Sequence, residues 1–375
     1  DDASTAGNQF GNGQPKMCGI AGLLCFSGIP GSGEVVTAMA NAISHRGPDD
    51  GGMWADQDAG IALAHRRLST VDLSAAGHQP MLSVIGRYVL SYNGEVYNHL
   101  DLRRELEAAH KAPDWRGHSD SETLVACIEA WGVETTLKRC IGMFAFALWD
   151  RNNRSLVLAR DRAGEKPIFF GWQGDVFLFG SELKALRAYP AFSAIVDRGA
   201  LALLLRHNYI PSPYSIYQGI WKLPPGTWLQ LRPGQRDDVR PQAFWSLGEV
   251  AERGTAEPFN GSDEEAVDEL ARLLGKAVAG QQVSDVPLGA LLSGGIDSSL
   301  VTALMQAKSS QPIRTFTIGF NEKAYDEAAH ARAIAEYLGT EHTELRLSLN
   351  DSLDLVVKLP EIYDEPFADS SQSPT

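Results

Sequence analysis

The sequence predicts a two-domain protein, an α+β domain followed by a parallel-sheet α/β domain, and three observations carry that expectation. From Met17 to about residue 248, short β-type runs alternate with Gly and Pro turns and with amphipathic helices. From residue 262 onward, strand, loop and helix alternate in the order that a parallel sheet with right-handed crossovers requires. Between them "EVAERGTAEPFNG" carries only scattered apolar residues and reads as a linker over residues 249–261. A chain of 375 residues exceeds the usual single-domain size, so each half can bury its own core.

The elements follow in order. Residues 1–17, "DDASTAGNQFGNGQPKM", are polar and rich in Gly, Asn and Gln, and are expected to be disordered and absent from the mature protein. In the first domain, 18–248, "RYVLSYN", "SLVLARD", "PIFFGWQ", "VFLFGSE" and "GTWLQLRP" read as strands. "SETLVACIEAWG" reads as a helix, because Leu124, Ile128 and Trp131 recur at helical spacing. The second domain, 262–375, opens with a capping box, Ser262 with Glu265, and a helix whose Val267, Leu270, Leu274 and Val278 form one apolar face. Strand "VPLGALL", a helix from about Ser298, strand "IRTFTIGF", helix "DEAAHARAIAEYLG" ending at Gly339, and strand "EHTELRL" follow.

Composition excludes several function classes. Thirty-three basic against 47 acidic side chains give a net charge of -14, which opposes attraction to nucleic acid or an anionic membrane. No apolar run approaches the ~20 residues of a membrane span. Four cysteines, Cys18, Cys25, Cys127 and Cys140, lack C-x-x-C spacing and are too sparse for a disulfide scaffold, so a reducing, cytoplasmic compartment is expected.

"ALLSGGIDSSLV" carries chemistry. An apolar strand runs into Ser293, Gly294 and Gly295, and a helix starts at once. Two glycines let backbone N–H groups approach an anion, and the helix N-terminus adds favourable partial charge. Ser293, Ser298 and Ser299 can donate to phosphate oxygens, and Asp297 can hold Mg²⁺. This is not a Walker A loop, which needs G-x-x-x-x-G-K-[ST]. "SGG" alone would read as a plain turn, whereas S-G-G-x-D-S-S between a buried strand and a helix favours nucleotide binding. It resembles the loop of the N-type ATP pyrophosphatases. That resemblance implies ATP as ligand, with Leu291 just before the loop and Ile318 of "FTIGF" at the adenine.

"MCGIAG" raises a second site. A free thiol is most often a small buried hydrophobe, and Cys25, Cys127 and Cys140 keep that reading. Cys18 differs, because removal of Met17 would set its own α-amine (pKa ~7.7–8.0) beside the thiol as general base. An oxyanion needs preorganised donors, and "SYNGEVYNH" supplies the Asn93 side chain and the Gly94 N–H. Arg67 of "HRRLSTVD" is a candidate for a substrate carboxylate, with Glu95 and Asp120 of "HSDSE" for an ammonium. Taken singly, each has a plain structural reading: NG is a common turn, an arginine is usually solvated, and Asp120 can cap the helix that follows.

Together "MCGIAG", "HRGPDD", "AHRRLSTVDLS", "YNGEVYNH", "SDSE", "GMFAFALWD", "RDRAGEKPIFF", "FGSELKAL", "LPPG", "DVPLGALLSGGIDSS" and "YDEPFADSS" resemble the glutamine-hydrolysing asparagine synthetases, in the family's order from Met17 to Thr375. The resemblance implies an αββα N-terminal-nucleophile glutaminase followed by an ATP-dependent synthetase domain. It makes Cys18 the nucleophile, Asn93 and Gly94 the oxyanion hole, and Arg67 with Leu68, Ser69, Thr70 and Val71 the glutamine-holding segment. Glu95 and Asp120 then take the substrate amine. Leu291, Ser293, Gly294, Gly295, Asp297, Ser298, Ser299 and Ile318 take ATP, with Asp297 at Mg²⁺. Glutamine, aspartate and ATP are the implied substrates, ammonia passes from the first site to the second, and a homodimer is what the family suggests.

Two departures from the family pattern shape the remaining expectations. A leader ahead of Met17 would block the α-amine of Cys18. The family's S-G-E-G-x-D-E motif and a later lysine lie downstream of "YDEPFADSS", so the chain is expected to be C-terminally truncated and its synthetase site incomplete. Alternative readings are a related carboxylic acid as acceptor, a glutaminase alone, and a non-enzymatic relic.

Overall fold

The computed structural model describes residues 17–29, 31–236, 239–321 and 326–369, so the leader expected over 1–17 lies outside the described residues except for Met17. Two compact units result, one running to Leu247 and including Ile362–Asp369, the other spanning Gly248–Glu361.

The strands of the first unit are β1 (Gly19–Leu24), β2 (Asp50–Asp56), β3 (Ile61–Arg67), β4 (Met81–Leu82), β5 (Tyr88–Val96), β6 (Gly142–Asp150), β7 (Ser155–Arg160), β8 (Phe169–Gln173), β9 (Val176–Gly180), β10 (Ile220–Lys222), β11 (Thr227–Leu231) and β12 (Gln242–Ala243). Its helices are α1 (Ser32–Asn41), α2 (His99–Ala108), α3 (Asp120–Trp131), α4 (Val133–Arg139), α5 (Leu183–Arg187) and α6 (Arg198–His207). The strands pair into two six-stranded sheets, ordered β10-β8-β9-β1-β3-β2 and β12-β11-β7-β6-β5-β4. Neighbours in both are antiparallel.

Period-2 alternation sorts the side chains into three cores. Ile20, Leu24, Ile61, Leu63, Phe177 and Phe179 from one sheet meet Val89, Ala145, Ala147, Trp149, Leu156 and Leu158 from the other. The opposite faces pack on helices: Ala21, Leu23, Ala62 and Leu178 against Val36 and Met39 of α1 and Leu183 and Leu186 of α5, and Leu90, Phe144, Phe146 and Val157 against Leu102 of α2 and Leu124 and Ile128 of α3. The unit is therefore helix, sheet, sheet, helix. Because both faces of β1 are covered, all six of its residues are buried, and "GIAGLL" shows no polar alternation. Gly22 makes room for the ring of its cross-strand partner Phe179 on β9, since a Cβ there would stand 2.2 Å from that ring.

The second unit contains α7 (Leu247–Ala256), α8 (Asp263–Gly280), β13 (Gly289–Leu291), α9 (Ile296–Lys308), β14 (Arg314–Phe320), α10 (Ala328–Leu338), β15 (Glu341–Leu347), α11 (Leu349–Val356) and α12 (Leu359–Ile362). β13, β14 and β15 are parallel neighbours, as the strand-helix alternation requires. The capping box of Ser262 and Glu265 forms, and Gly339 ends α10 in the left-handed conformation at φ 70°.

Several sequence expectations are corrected. The linker over 249–261 begins in the helix α7, which buries no residue: Glu, Ala and Arg are strong helix formers and outweigh Gly248 and Gly254. "VPLGALL" yields only three strand residues, and α9 starts at Ile296 rather than near Ser298. Along the apolar face of α8, Val267 (64%) and Leu270 (56%) are exposed while Leu274 and Val278 are half-buried. Ile362–Asp369 groups with the first unit rather than with the rest of 262–375. There Leu183 and Lys184 donate backbone N–H groups to Asp364, and Ala368 N–H donates to Asn208 O at 2.7 Å. Among the described residues no helix is long and apolar enough to cross a membrane.

Candidate active site

Cys18 stands immediately before β1, whose register sets Gly19 opposite Arg66 of β3. That pairing brings the thiol to the end of β3, where Leu68 N–H donates to Cys18 Sγ at 3.4 Å and the thiol donates to Leu68 O at 3.5 Å. Burial pushes the Cys18 thiol up from its ordinary value; the Leu68 bond, Arg67 and Lys166 oppose that, and the Asp120 carboxylate adds to it. Cys25, Cys127 and Cys140 are buried free thiols. For Cys127 and Cys140 burial raises the pKa, to about 12 for Cys127.

Arg67, the last residue of β3, is buried. Its guanidinium donates to Ser74 O at 3.1 Å and to Asp72 O, tying the loop after β3 into place. Gly77 makes room for it, since a Cβ there would lie 2.1 Å from Arg67 Nη2. Five N–H donors leave capacity for a carboxylate.

Asn93 and Gly94 lie on β5, opposite Ala145 and Phe144 of β6. A side chain at Gly94 would collide with Met143 O at 2.2 Å, so β6 can approach only a glycine. Asn93 is 1% exposed, and among the described residues its Nδ2 has no hydrogen-bond partner. An unsatisfied buried donor costs about 1–3 kcal/mol. An oxyanion would satisfy it.

Asp120 is the first residue of α3, but Ser119 is the cap, accepting from Glu122 N–H. The Asp120 carboxylate instead accepts from Tyr92 Oη at 2.6 Å and Val96 N–H at 2.8 Å. Burial pushes it up, while Tyr92 and Val96 hold it down. Glu95 is half-buried and accepts a long 3.5 Å bond from Thr70 Oγ1. Burial, then the neighbouring Asp120, raise its pKa.

One cleft is lined by Cys18, Arg67, Leu68, Thr70, Val71, Gly94 and Asp120, so most of the predicted residues converge. Asn93, Glu95 and Ser69 are not on its lining, and Ser69 N–H is engaged by Asp49 at 2.8 Å. Sequence reasoning missed Gln79, Tyr92, Ser119 and Ser121, which also line it. Gln79 accepts from Tyr92 N–H at 2.7 Å, and His65, held neutral by burial that lowers its pKa to about 4, donates Nε2–H to Tyr92 O at 2.8 Å. Tyr92 lies inside the quoted "SYNGEVYNH" and could have been found there. Gln79 gave no signal.

In the second unit Ser293, Gly294 and Gly295 form the turn between β13 and α9. Gly294 has φ 83°, and a Cβ there would meet His330 Cβ at 2.8 Å, so the turn requires glycine. Ser293 Oγ and Ser298 Oγ are 3.0 Å apart, and Ser299 Oγ donates to Gly295 O at 2.6 Å. No side chain caps α9, which leaves its first-turn N–H groups for an anion. These donors fit nucleotide phosphates. Asp297 is exposed on the first turn of α9, and no group of three metal-ligating side chains occurs among the described residues. One carboxylate suits Mg²⁺ carried by the nucleotide. Leu291 is 77% exposed at the end of β13, and Ile318 lies on the adjacent β14.

A family model described as a glutamine amidotransferase domain matches residues 17–245, and one described as asparagine synthase matches residues 269–375. A Methanocaldococcus jannaschii protein, provisionally named asparagine synthetase [glutamine-hydrolyzing] 2, is 34% identical over 96% of this chain and 70% of its own length. Bacillus subtilis asparagine synthetases 3 and 1 are 32% and 31% identical over 93% and 96% of this chain. The chain spans only 57% and 54% of those two. Among solved structures, the Bacillus subtilis glutamine phosphoribosylpyrophosphate amidotransferase aligns over 87% of this chain and 65% of its own, at 16% identity and a TM-score of 0.45, too loose a likeness to carry an inference. With both domains matched in order and a 34% identical relative covered over most of its length, this chain belongs to the glutamine-hydrolysing asparagine synthetase family.

Proposed function

We propose that this protein hydrolyses glutamine at Cys18 and uses the ammonia to amidate the β-carboxylate of aspartate, activated by ATP, giving asparagine, glutamate, AMP and pyrophosphate. The convergence of Cys18, Arg67, Gly94 and Asp120 on one cleft carries this reading. Removal of everything up to Met17 bares the α-amine of Cys18, which takes the thiol proton as Sγ attacks the γ-carboxamide carbon. Asn93 Nδ2 and the Gly94 N–H hold the oxyanion, while Asp120 and Glu95 take the α-ammonium and Arg67 the α-carboxylate. The amine returns its proton to the leaving nitrogen, ammonia departs, and water hydrolyses the thioester to glutamate.

In the second unit the Ser293–Ser299 loop holds the phosphates of ATP, with Asp297 toward its Mg²⁺. The aspartate carboxylate attacks the α-phosphorus, pyrophosphate leaves, and ammonia then displaces AMP from the acyl adenylate. Adenylation is needed because a bare carboxylate is a poor electrophile.

The test is an assay of the complete chain with glutamine, ATP and Mg²⁺ against a panel of acids. Glutamate, AMP and pyrophosphate should form together, with aspartate the preferred acid. Preference for another acid would overturn the acceptor, and glutamate release without AMP under every acid would reduce the protein to a glutaminase.

A further inference from the structure

Lys166 of "RDRAGEKP" is only 7% exposed. Its backbone is fixed on both sides: Lys166 N–H donates to Asp161 Oδ2 at 3.0 Å, and Arg160 Nε donates to Lys166 O at 2.9 Å. Its Nζ lies 3.3 Å from Met17 Sδ. Among the described residues that thioether is the ammonium's one hydrogen-bond partner, and no carboxylate reaches ion-pair distance. This is an odd place for a buried charge, because ammonium groups inside proteins are normally paired, and a thioether is a weak acceptor. Removal of Met17 takes that partner away and makes Cys18, whose thiol Lys166 already acts on electrostatically, the N-terminal residue.

We propose that Lys166 is a positioning residue for the glutaminase reaction, its ammonium facing the bared N-terminus of Cys18 and favouring proton loss there; this rests on the glutaminase reading above. A like charge disfavours the α-ammonium, and an opposite charge favours the thiolate. Whichever of the two atoms loses the first proton, a fixed positive charge lowers the pH at which the pair loses it. Other charges bear on the same place. Glu95 of β5 and Glu165 of its own loop oppose Lys166, and Arg46 from the turn after α1 acts with it. Asp120 and Arg67 face the thiol with opposite signs. Burial lowers the proton affinity of Lys166 itself, and Glu95 is the first charge to counter that.

The experiment uses the complete chain with Cys18 confirmed as its first residue by mass spectrometry. Alkylation of Cys18 by iodoacetamide is followed by peptide mass spectrometry across pH 6 to 10, with buried Cys25, Cys127 and Cys140 as internal references. Lys166→Met and Lys166→Gln should move the alkylation midpoint up by about one pH unit and slow the reaction at pH 7 several-fold, and Lys166→Arg should stay within about 0.3 units of the parent. The rising limb of kcat/KM for glutamine hydrolysis should move by the same amount. A midpoint unmoved in the neutral variants, or an equal shift with Lys166→Arg, overturns the proposal. Loss of the folded circular-dichroism spectrum in both neutral variants also overturns it, assigning Lys166 to the fold. Alkylation needs no glutamine. A parent that alkylates at Cys18 yet hydrolyses no glutamine sinks the glutaminase reading separately.

Discussion

Asn93 concentrates the residue-scale account, because its side-chain amide is buried and its Nδ2 has no partner among the described residues. A donor held that way contributes little to the resting fold and much to an oxyanion. Asn93→Ala is expected to lower kcat for glutamine hydrolysis by about 10²- to 10³-fold with KM little changed. Thermal unfolding should stay within a few degrees of the parent, and a collapse of stability would show that Asn93 serves the fold instead. Asp120 makes the opposite prediction. Asp120→Asn removes the charge proposed to meet the substrate ammonium, so KM for glutamine should rise by roughly 10- to 100-fold while Cys18 remains open to alkylation. The sequence singled these residues out through their neighbours in "SYNGE" and "HSDSE". It did not reveal Gln79, whose role is a single backbone contact to Tyr92, and such contacts leave no local pattern.

The turn into α5 provides the element-scale test. Glu182 receives Arg46 Nη1 at 2.7 Å, His45 Nε2 at 3.2 Å and Lys184 Nζ at 2.9 Å, and Arg46 Nε also donates to Cys18 O at 3.0 Å. Burial alone would raise its carboxyl, but these partners hold it down to about 2. A depressed carboxylate stabilises the folded state above its unfolded value of 4.5, and that stability is lost as pH falls through about 2. Glu182→Gln should therefore cost about 3 kcal/mol at pH 7, with the difference shrinking below pH 4.5 in urea unfolding curves. A difference independent of pH would contradict the network. Asp364, which accepts from the backbone of the same turn, behaves in reverse: burial and Glu182 raise it to about 6, so its contribution is present below 3.8 and lost as pH rises through 6. Periodicity made strands such as "SLVLARD" and the helix α3 legible, and in the fold that run divides its alternate residues, Leu156 and Leu158 against Val157 and Ala159, between two cores. Helix α7 was not legible, since its apolar face is short, with Leu247, Val250 and Ala251 at helical spacing, and glycines and a polar run surround it.

For the whole molecule, the two units were readable from the change of pattern near residue 250, whereas the return of Ile362–Asp369 to the first unit was not. That return depends on polar contacts far apart in sequence, such as Lys222 Nζ to Glu365 at 2.5 Å. The candidate site residues divide along the same lines, with Cys18 in one unit and the 293–299 loop in the other. Gly294→Ala should abolish ATP-dependent turnover, because a Cβ there meets His330 and φ 83° disfavours it, while glutamine hydrolysis by Cys18 continues. Loss of both activities in a folded variant would show the sites to be inseparable.

The central claim is that Cys18, bared as an amino-terminal residue, is the source of ammonia for the nucleotide-dependent step. It is tested most directly by AMP formation in the Cys18→Ala variant of the complete chain, driven in parallel by glutamine and by ammonium salt. The account predicts a loss of about 10³-fold or more with glutamine and near-parental rates with ammonium. Undiminished glutamine-driven AMP formation, or the loss of both in a protein that still folds, would contradict it.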